Sequence, residues 1–334
     1  MSFIGTGNWE KGDALGKNHI FRIASMTKAV TSIAAMQLVE AGLVSLDDPL
    51  ASYMPEIQAI PLLGTDGELL QPQRPLTLRH LLTHTSGFGY AIFDRRLGGF
   101  NLPADWPHAD HPRLSEAGEQ WFYGTGTDWA GRLVETISGL SLEEYFRRHV
   151  TGPLGMDHTW FEVPDSLQHL VVSLGTRDAA MGNALREVPS QQLRSSVSRY
   201  SGGAGLHASL RDYLRFLQCM VNGGEFDGVR ILKPETVEKL FVNQFPLVLS
   251  EHYAAIQASR GFAHGLAWAL QSEGNAYGRR PGSGYWSGYF NTFYSVDVRT
   301  GIAVVVMTNI APSDDEGAVS LYKKFEYLVR GDQP

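Results

Sequence analysis

The sequence lacks several features that would assign it to a particular class of protein. It has one cysteine, Cys219, in 334 residues, so no internal disulfide is possible and a reducing compartment is expected. The formal net charge is −7, which argues against a nucleic-acid or anionic-membrane surface because both need clustered Lys and Arg. The densest apolar run, residues 303–307, has only the length of a strand. We therefore expect no nucleic-acid partner and no membrane segment.

The first ten residues show no basic patch followed by an apolar stretch, so no secretory leader is visible and a cytoplasmic location is predicted. What the chain does contain is ordinary for a globular protein. Hydrophobic residues make up 43% and charged residues 19%. At this length the chain fits one large domain or two interlocked domains.

The N-terminal part of the sequence predicts a buried helix. Residues 3–7 and 20–23 read as short extended segments. Residues 26–41 then carry good helix formers with few polar side chains, and Gly42 is placed to end the helix. A helix that is apolar on nearly every side belongs in the interior of a protein.

The rest of the chain predicts helices in the middle and an antiparallel sheet near the end. The predicted helices lie at 78–83, 128–138, 142–150, 209–222, 233–242 and 316–330. The predicted strands lie at 265–271, 289–297 and 302–308, the last two forming a hairpin. This pattern predicts an α/β protein of the α+β type, an antiparallel sheet flanked by helices. We expect a discontinuous sheet domain of residues 1–50 and 200–334, with a mostly helical domain, 51–199, inserted in it.

The tetrapeptide Ser25-Met26-Thr27-Lys28 predicts a nucleophilic serine. Residues i and i+3 share one helix face, so the Lys28 ammonium can reach the Ser25 hydroxyl. A serine needs an adjacent base to become a good nucleophile, and a partly desolvated lysine with a lowered pKa can help as that base. At the helix N-terminus the Ser25 N–H also points outward, ready for an oxyanion.

The same pattern occurs a second time, in Ser320-Leu321-Tyr322-Lys323. Short patterns of this kind arise by chance in a chain of this length. This copy lies inside the closing helix, where we expect a surface serine and a solvent-exposed lysine. The context of Ser25, with an apolar segment leading into a buried helix, favours the first copy.

The motifs around Ser25 resemble the serine β-lactamase and penicillin-binding-protein superfamily. They are FRIASMTK at 21–28 and GLVSLDDP at 42–49, and the resemblance continues at 81–87, 121–138 and 202–206. Within the superfamily the sequence is similar to class C β-lactamase-like esterases, often called family VIII carboxylesterases. The resemblance implies a β-lactamase/transpeptidase-like fold and a serine acyl-enzyme, with no metal or organic cofactor.

The resemblance nominates Tyr123, in WFYGTGTD at 121–128, as the second catalytic element. A phenol near Lys28 would have its phenolate favoured by the positive charge, which suits a general base for Ser25. The alternative is a half-buried loop aromatic. Thr125 stands where β-lactamases usually carry Asn. We interpret Asp128 as a carboxylate stabilised by the helix dipole.

The third element of the family corresponds to Trp286-Ser287-Gly288-Tyr289, ahead of the hairpin strand. It resembles the Trp-x-Gly form of the esterases, where β-lactamases and penicillin-binding proteins carry Lys-Thr-Gly or a close relative. A tryptophan offers no charge for the carboxylate of a β-lactam or a D-Ala-terminated peptide, and its indole makes an apolar wall suited to an uncharged ester. Gly288 lets substrate approach the backbone, and the N–H of Tyr289 would be the second oxyanion donor. The alternative for Trp286 is an exposed aromatic in a Gly-rich loop.

Other candidate sites are weaker. The run His108-Ala109-Asp110-His111 lies between prolines without an evident third metal ligand, and we interpret it as surface. His84 is expected to be a structural loop histidine. No Gly-x-Ser-x-Gly elbow and no Walker-type loop occur in the sequence.

The resemblance also bears on association. Family members carry a helix and a first strand ahead of the segment matched by residues 3–7, whereas 24 residues precede Ser25 here. That helix and strand therefore look short or missing, and an uncovered sheet edge would favour a homo-oligomer or covering by the C-terminal helix.

The sequence thus predicts a serine carboxylesterase that takes a small-molecule ester, with short acyl groups favoured. Ser25 attacks the carbonyl, Tyr123 aided by Lys28 accepts its proton, and the N–H groups of Ser25 and Tyr289 hold the oxyanion. Three alternatives stay open: a β-lactamase or D-amino peptidase such as a D-Ala-D-Ala carboxypeptidase, an acyltransferase of the same fold, or a catalytically silent binding protein.

Overall fold

The computed structural model describes residues 1–189, 200–248 and 262–330. The helices in these ranges are α1 (Thr27–Glu40), α2 (Pro55–Gln58), α3 (Leu78–Leu82), α4 (Arg95–Gly99), α5 (Gly126–Ser138), α6 (Leu142–His149), α7 (Leu210–Val221), α8 (Pro234–Leu240), α9 (Phe245–Val248) and α10 (Glu316–Arg330). The strands are β1 (Ile20–Arg22), β2 (Leu62–Leu63), β3 (Leu69–Leu70), β4 (Gly175–Asp178), β5 (Ala184–Glu187), β6 (His207–Ser209), β7 (Glu225–Phe226), β8 (Val229–Arg230), β9 (Ala263–His264), β10 (Ala269–Leu270), β11 (Gly284–Gly288), β12 (Thr292–Asp297), β13 (Ile302–Met307) and β14 (Ile310–Ala311).

The main sheet has the order β13-β12-β11-β10-β9 with antiparallel neighbours, which confirms the antiparallel sheet predicted from the sequence. β11 pairs with β12 along its whole length, from Gly284 opposite Val296 to Gly288 opposite Thr292. On its other side β10 pairs only with Gly284 and Tyr285. Among the residues that the structure describes, the second half of β11 therefore pairs along one edge, with β12.

Helix α1 forms the centre of the core, as its apolar composition predicts. Its residues from Thr27 to Met36 are all buried, and α5 packs against it. Gly42 follows the helix with a φ of +71°, a left-handed conformation that glycine adopts without steric cost. A buried central helix gives the residues at its N-terminus a fixed position.

The predicted helices are present, with small shifts at their ends. Thr77 caps α3 and Ser141 caps α6, each through a reciprocal capping box. Helix α5 begins at Gly126, two residues before the predicted start. Helix α10 packs on the sheet through a small apolar cluster, which includes Phe293, Val304, Ala318 and Tyr322.

Two strand predictions are wrong. Residues 3–7 form no strand and make only an isolated bridge, between Thr6 and Ala14. Residues 265–271 are not one strand, because β9 and β10 form a hairpin whose turn is closed by a bond from the Gly265 N–H to the Trp268 carbonyl, 2.9 Å long. A side chain on Gly265 would collide with the carbonyl of Leu240 at the end of α8, so glycine is required where the turn passes that helix.

The segment expected to lie ahead of the hairpin strand is itself regular structure. Trp286, Ser287 and Gly288 are the second half of β11. Residues 51–199 contain helices α2 to α6 together with two small hairpins, β2–β3 and β4–β5. The division of the chain into two domains stays a prediction. No helix in the part of the chain that the structure describes is long and apolar enough to cross a membrane.

Candidate active site

Ser25 lies in a short 3-10 turn, Ala24–Met26, that joins β1 to α1. The first residue of the turn, Ala24, has a strained backbone conformation with a φ of +42°. The Met26 N–H donates to the Ile23 carbonyl at 3.0 Å, which holds the turn closed. The serine is half-buried, while its neighbours Ala24 and Met26 are buried. This local geometry presents one hydroxyl at the mouth of the central helix.

Lys28 is buried directly beneath that hydroxyl, with 4% of its surface exposed. Its Nζ lies 3.4 Å from the Ser25 Oγ, so the structure brings the predicted pair together. The same nitrogen donates to the Gly203 carbonyl at 2.7 Å and to the Tyr90 hydroxyl at 3.0 Å. All three N–H groups of the ammonium therefore have an acceptor, which offsets much of the cost of its burial.

The expected lowering of the Lys28 pKa is wrong. Burial does lower the pKa, as argued from the sequence, but the negative charges that Tyr123, Tyr90 and Asp128 carry when ionised raise it by more. The net pKa lies above the ordinary value for lysine. Lys28 is thus an ammonium at neutral pH and acts as a fixed positive charge rather than as a base.

Tyr90, eight residues beyond α3, is a site residue that the sequence analysis missed. Its hydroxyl accepts the bond from Lys28, and its ring lies 5.3 Å from that of Tyr123. Burial raises the Tyr90 pKa to about 12, although the Lys28 charge opposes this. The sequence offered one indication of this residue, since Tyr90 lies three residues after the family-like segment 81–87.

Tyr123 lies on the other side of Lys28, immediately before α5. The Lys28 Nζ is 4.7 Å from the centre of its ring, a cation–π contact. Its hydroxyl accepts a hydrogen bond from the Trp286 indole N–H at 3.3 Å. Within the described ranges the hydrogen bond from Lys28 to a phenol goes to Tyr90 rather than to Tyr123. The two tyrosines therefore contact the ammonium differently, one through its oxygen and one through its ring.

The end of β11 packs against the turn that carries Ser25. A side chain on Gly288 would collide with the carbonyl of Ile23, so glycine is required for this close approach. The Thr292 hydroxyl also donates to that carbonyl, at 3.4 Å. In the described part of the chain, neither the Ser25 N–H nor the Tyr289 N–H has a backbone acceptor. Both amides are thus available for an oxyanion, while the side chains of Ser287 and Tyr289 are exposed.

Two buried histidines, His84 and His264, lie beside the aromatic residues of the site. His84 packs edge-on against Tyr123 and His264, with ring centres 5.0 and 5.4 Å away. Burial lowers the pKa of His84 well below its ordinary value and that of His264 to about 4. Both rings are therefore neutral at pH 7. His84 follows α3 and has a left-handed backbone conformation, with a φ of +57°; that it has a structural role stays a prediction.

The run at 108–111, interpreted from the sequence as surface, is partly buried. The Asp110 carboxylate accepts hydrogen bonds from the Thr125 hydroxyl and from the Trp129 indole, the latter at 3.0 Å. Thr125, in the position where β-lactamases usually carry Asn, is thus engaged with Asp110. In the ranges that the structure describes, no three His, Cys, Asp or Glu side chains are grouped to hold a metal ion.

The second copy of the Ser-x-x-Lys pattern lies on α10, as expected. Ser320 is exposed, as predicted. Lys323, predicted to be solvent-exposed, is half-buried instead, because its Nζ lies 5.1 Å from the centre of the Tyr277 ring. Lys28, by contrast, is buried among two tyrosines and a carbonyl. The surroundings of the lysine therefore separate the two copies.

A serine beside a buried ammonium, with two tyrosines and two free amides around it, is suited to acyl transfer. The chain belongs to the Beta-lactamase family, whose model matches residues 2–328. Proteins of this fold include serine hydrolases and acyltransferases. The expected superfamily and fold are therefore confirmed.

Named relatives support the same family. The chain is 30% identical to monacolin J acid methylbutanoyltransferase from Aspergillus terreus, over 92% of this chain and 81% of that protein. It is 30% identical to lovastatin esterase from Penicillium rubens, over 93% of this chain and 84% of that protein. Its structure matches that of a simvastatin synthase (LovD) mutant from Aspergillus terreus with a TM-score of 0.87, at 28% identity, covering 98% of this chain and 85% of that one.

Proposed function

We propose that this protein is a serine carboxylesterase that cleaves small uncharged esters through an acyl-enzyme on Ser25. The observation that carries the proposal is the Lys28 Nζ, which lies 3.4 Å from the Ser25 Oγ and 3.0 Å from the Tyr90 hydroxyl in a buried site. A fixed positive charge in such a place stabilises both an ionised phenol and a developing alkoxide.

The roles of the tyrosines follow from their contacts. Tyr123 accepts the proton of Ser25, because the Trp286 N–H donates to its oxygen and Lys28 faces its ring, and both favour the phenolate. Tyr90 holds the ammonium in place. As the Ser25 Oγ bonds to the carbonyl carbon, the Ser25 and Tyr289 amides bind the oxyanion.

The remaining steps return the enzyme to its starting state. When the tetrahedral intermediate collapses, the bond to the ester oxygen breaks and Tyr123 gives its proton to the departing alcohol. Water then attacks the acyl carbonyl, Tyr123 takes a proton from it, and the bond to the Ser25 Oγ breaks. The proton returns to Ser25, the acid is released, and no cofactor takes part.

The choice of an uncharged substrate rests on the aromatic side chains around Tyr123. Trp286 stands where β-lactamases and penicillin-binding proteins carry lysine, and its ring centre is 5.1 Å from that of Tyr123. Phe93 lies on the other side, with its ring centre 5.9 Å away and 62% of its surface exposed. An exposed phenylalanine and a half-buried indole offer an apolar surface to an ester.

The test compares p-nitrophenyl acetate, butyrate and octanoate with nitrocefin and a D-Ala-terminated peptide. We expect wild type to hydrolyse the esters and to turn over the other two poorly. Ser25→Ala should lower ester hydrolysis by at least about a thousandfold, because it removes the hydroxyl proposed to form the acyl-enzyme. Ser320→Ala, in the second copy of the motif, is the control and should change nothing.

The result that overturns the proposal is ester hydrolysis retained by Ser25→Ala. Faster turnover of nitrocefin or of the peptide than of any ester would favour a β-lactamase or a D-amino peptidase. A fluorophosphonate probe that fails to label Ser25 would indicate a binding protein.

An acyltransferase is the second candidate, because two of the similar proteins are named for a methylbutanoyl transfer and for simvastatin synthesis. It would use the same acyl-enzyme, with an alcohol in place of water. Adding apolar alcohols during p-nitrophenyl butyrate turnover distinguishes the two functions. A product that is mainly the new ester indicates a transferase, and mainly butyric acid indicates an esterase.

A further inference from the structure

Asp128 makes specific hydrogen bonds in addition to any interaction with the dipole of its helix. It lies in the first turn of α5, where the sequence suggested only a favourable interaction with the helix dipole. Its Oδ1 accepts hydrogen bonds from the Ser201 hydroxyl at 2.5 Å and from the Gly203 N–H at 3.1 Å. Both donors lie more than 70 residues away in sequence, so the carboxylate joins α5 to the segment ahead of β6.

Gly203 connects this carboxylate to Lys28. Its N–H donates to Asp128, and its carbonyl accepts the 2.7 Å hydrogen bond from the Lys28 Nζ. A side chain on Gly203 would collide with the Asp128 carboxylate and would come within 3.1 Å of the Tyr90 hydroxyl. The residue is therefore clamped between the acidic group and the ammonium, with no room for a side chain.

The neighbouring Gly202 is held in a similar way. Its carbonyl accepts a 2.7 Å hydrogen bond from the hydroxyl of Thr31, one helical turn beyond Lys28 on α1. A side chain on Gly202 would come within 2.8 Å of the Thr127 carbonyl on α5. The glycine segment is thus fixed between α1 and α5, and Asp128 fixes its position at the lysine.

Lys28 is a buried cation whose nearest acceptors are neutral. The groups that face its nitrogen are the hydroxyls of Ser25 and Tyr90, the ring of Tyr123 and the Gly203 carbonyl. The charge of Lys28 also lowers the pKa of His84, for which burial is the main cause. No salt bridge joins Lys28 to a carboxylate in the described ranges.

Asp128 supplies the negative charge that Lys28 lacks in its direct contacts. Burial is the largest influence on both neighbouring pKa values, lowering that of Lys28 and raising that of Tyr90. The Asp128 charge raises both. It also raises the pKa of Asp110, a second carboxyl beside α5, for which burial is the main cause.

We propose that Asp128 is a positioning residue for the acyl-transfer reaction and acts through Gly203. It holds the Gly203 carbonyl against the Lys28 ammonium and keeps a negative charge close enough to balance that ammonium. This inference rests on the proposed function, because it assigns Asp128 a part in activating Ser25.

The test separates charge from hydrogen bonding with three variants. Asp128→Asn keeps an oxygen that accepts from Ser201 and Gly203 but removes the charge. Ser201→Ala is the matched control, since it removes one hydrogen bond and leaves the charge. Asp128→Ala removes both. For each, the rate of Ser25 labelling by a fluorophosphonate probe is measured against pH, alongside circular dichroism.

For Asp128→Asn we expect the rising limb of the pH profile to move to lower pH by about one unit. The Asp128 charge raises the pKa of Tyr90 beside the same ammonium, so its removal should ease ionisation of the phenol groups around Lys28. The plateau should fall about tenfold, since the base is weaker and the lysine less firmly held.

Ser201→Ala should keep the wild-type profile, with a rate within about threefold. Asp128→Ala should show the same shift as Asp128→Asn and a lower rate. A profile for Asp128→Asn that superimposes on wild type, at whatever rate, overturns the proposal. Wild type that is not labelled at all would instead overturn the proposed function, so the two failures are distinguishable.

Discussion

Two buried cations in this molecule are held in opposite ways. Arg279 makes a two-pronged ion pair with Glu326 of α10, at 2.9 and 2.7 Å, and both side chains are buried. Lys28 is as deeply buried, but its partners are a carbonyl and two hydroxyls, and the nearest carboxylate is reached through Gly203.

The difference in partners determines whether each positive charge can act on other groups. The guanidinium of Arg279 is neutralised by direct contact and fixes α10 to the loop between β10 and β11. The ammonium of Lys28 is held by dipoles, so its field still acts on Ser25 and on the two tyrosines. Arg279, with a direct carboxylate partner, has a structural part, whereas Lys28, without one in the described ranges, lies in the candidate active site.

Removing the charge of Lys28 is the strongest test of that contrast. Lys28→Met should lower kcat/KM for p-nitrophenyl butyrate by at least about a thousandfold, because the phenolate and the oxyanion lose their cation. The free energy of unfolding should change by less than about 2 kcal/mol, because losing the burial cost of the ammonium offsets the loss of its hydrogen bonds to Gly203 and Tyr90. Lys323→Met, in the second copy of the motif, is the control. Comparable activity losses in both variants would contradict the contrast.

Breaking the other cation's ion pair should have the reverse effect. Glu326→Gln leaves Arg279 buried without a countercharge and should lower the free energy of unfolding by about 3–5 kcal/mol. Urea denaturation measures this, and kcat/KM of the folded fraction should match wild type. Glu225→Gln removes one partner of the exposed pair with Arg230 and should cost less than about 1 kcal/mol. Equal costs for the two variants would show that burial of the pair does not matter.

The smallest expected effect concerns two exposed phenylalanines, Phe93 beside Tyr123 and Phe325 on α10. Phe93→Ala should lower kcat/KM for p-nitrophenyl octanoate about tenfold and leave the acetate ester within about twofold, because only a long acyl chain reaches the ring. Phe325→Ala, on α10, is the matched control, with 41% of the side chain exposed in wild type. An equal loss for both esters would mean that Phe93 supports Tyr123 rather than binding the acyl chain.

The local part of the candidate site could be read from the sequence. Ser25 and Lys28 are three residues apart across the 3-10 turn that leads into α1, and the contact expected from helical spacing is present. Tyr123 and Trp286 came from the order of motifs shared with a family, and the structure places both side by side near Lys28. The antiparallel hairpin and the capped helices followed from periodicity and end signals.

The parts that were missed depend on distant contacts. Tyr90 and Gly203 reach Lys28 across 62 and 175 residues of sequence, and no periodicity or spacing reports such an approach. The hairpin of β9 and β10 was read as one strand because its turn has no recognisable turn sequence. Glycine is required at 265 by the close approach of the Leu240 carbonyl, a residue distant in sequence.

The sequence by itself determined a buried helix opened by Ser25, the family and the antiparallel sheet, because these depend on short-range patterns of side chains. Only the tertiary structure decided the charge state of Lys28. The sequence suggested a desolvated amine with a lowered pKa, whereas packing surrounds the nitrogen with acceptors and nearby negative charge that raise it. Burial alone opposes a charge, and it is the set of groups brought in from distant segments that makes the charge stable.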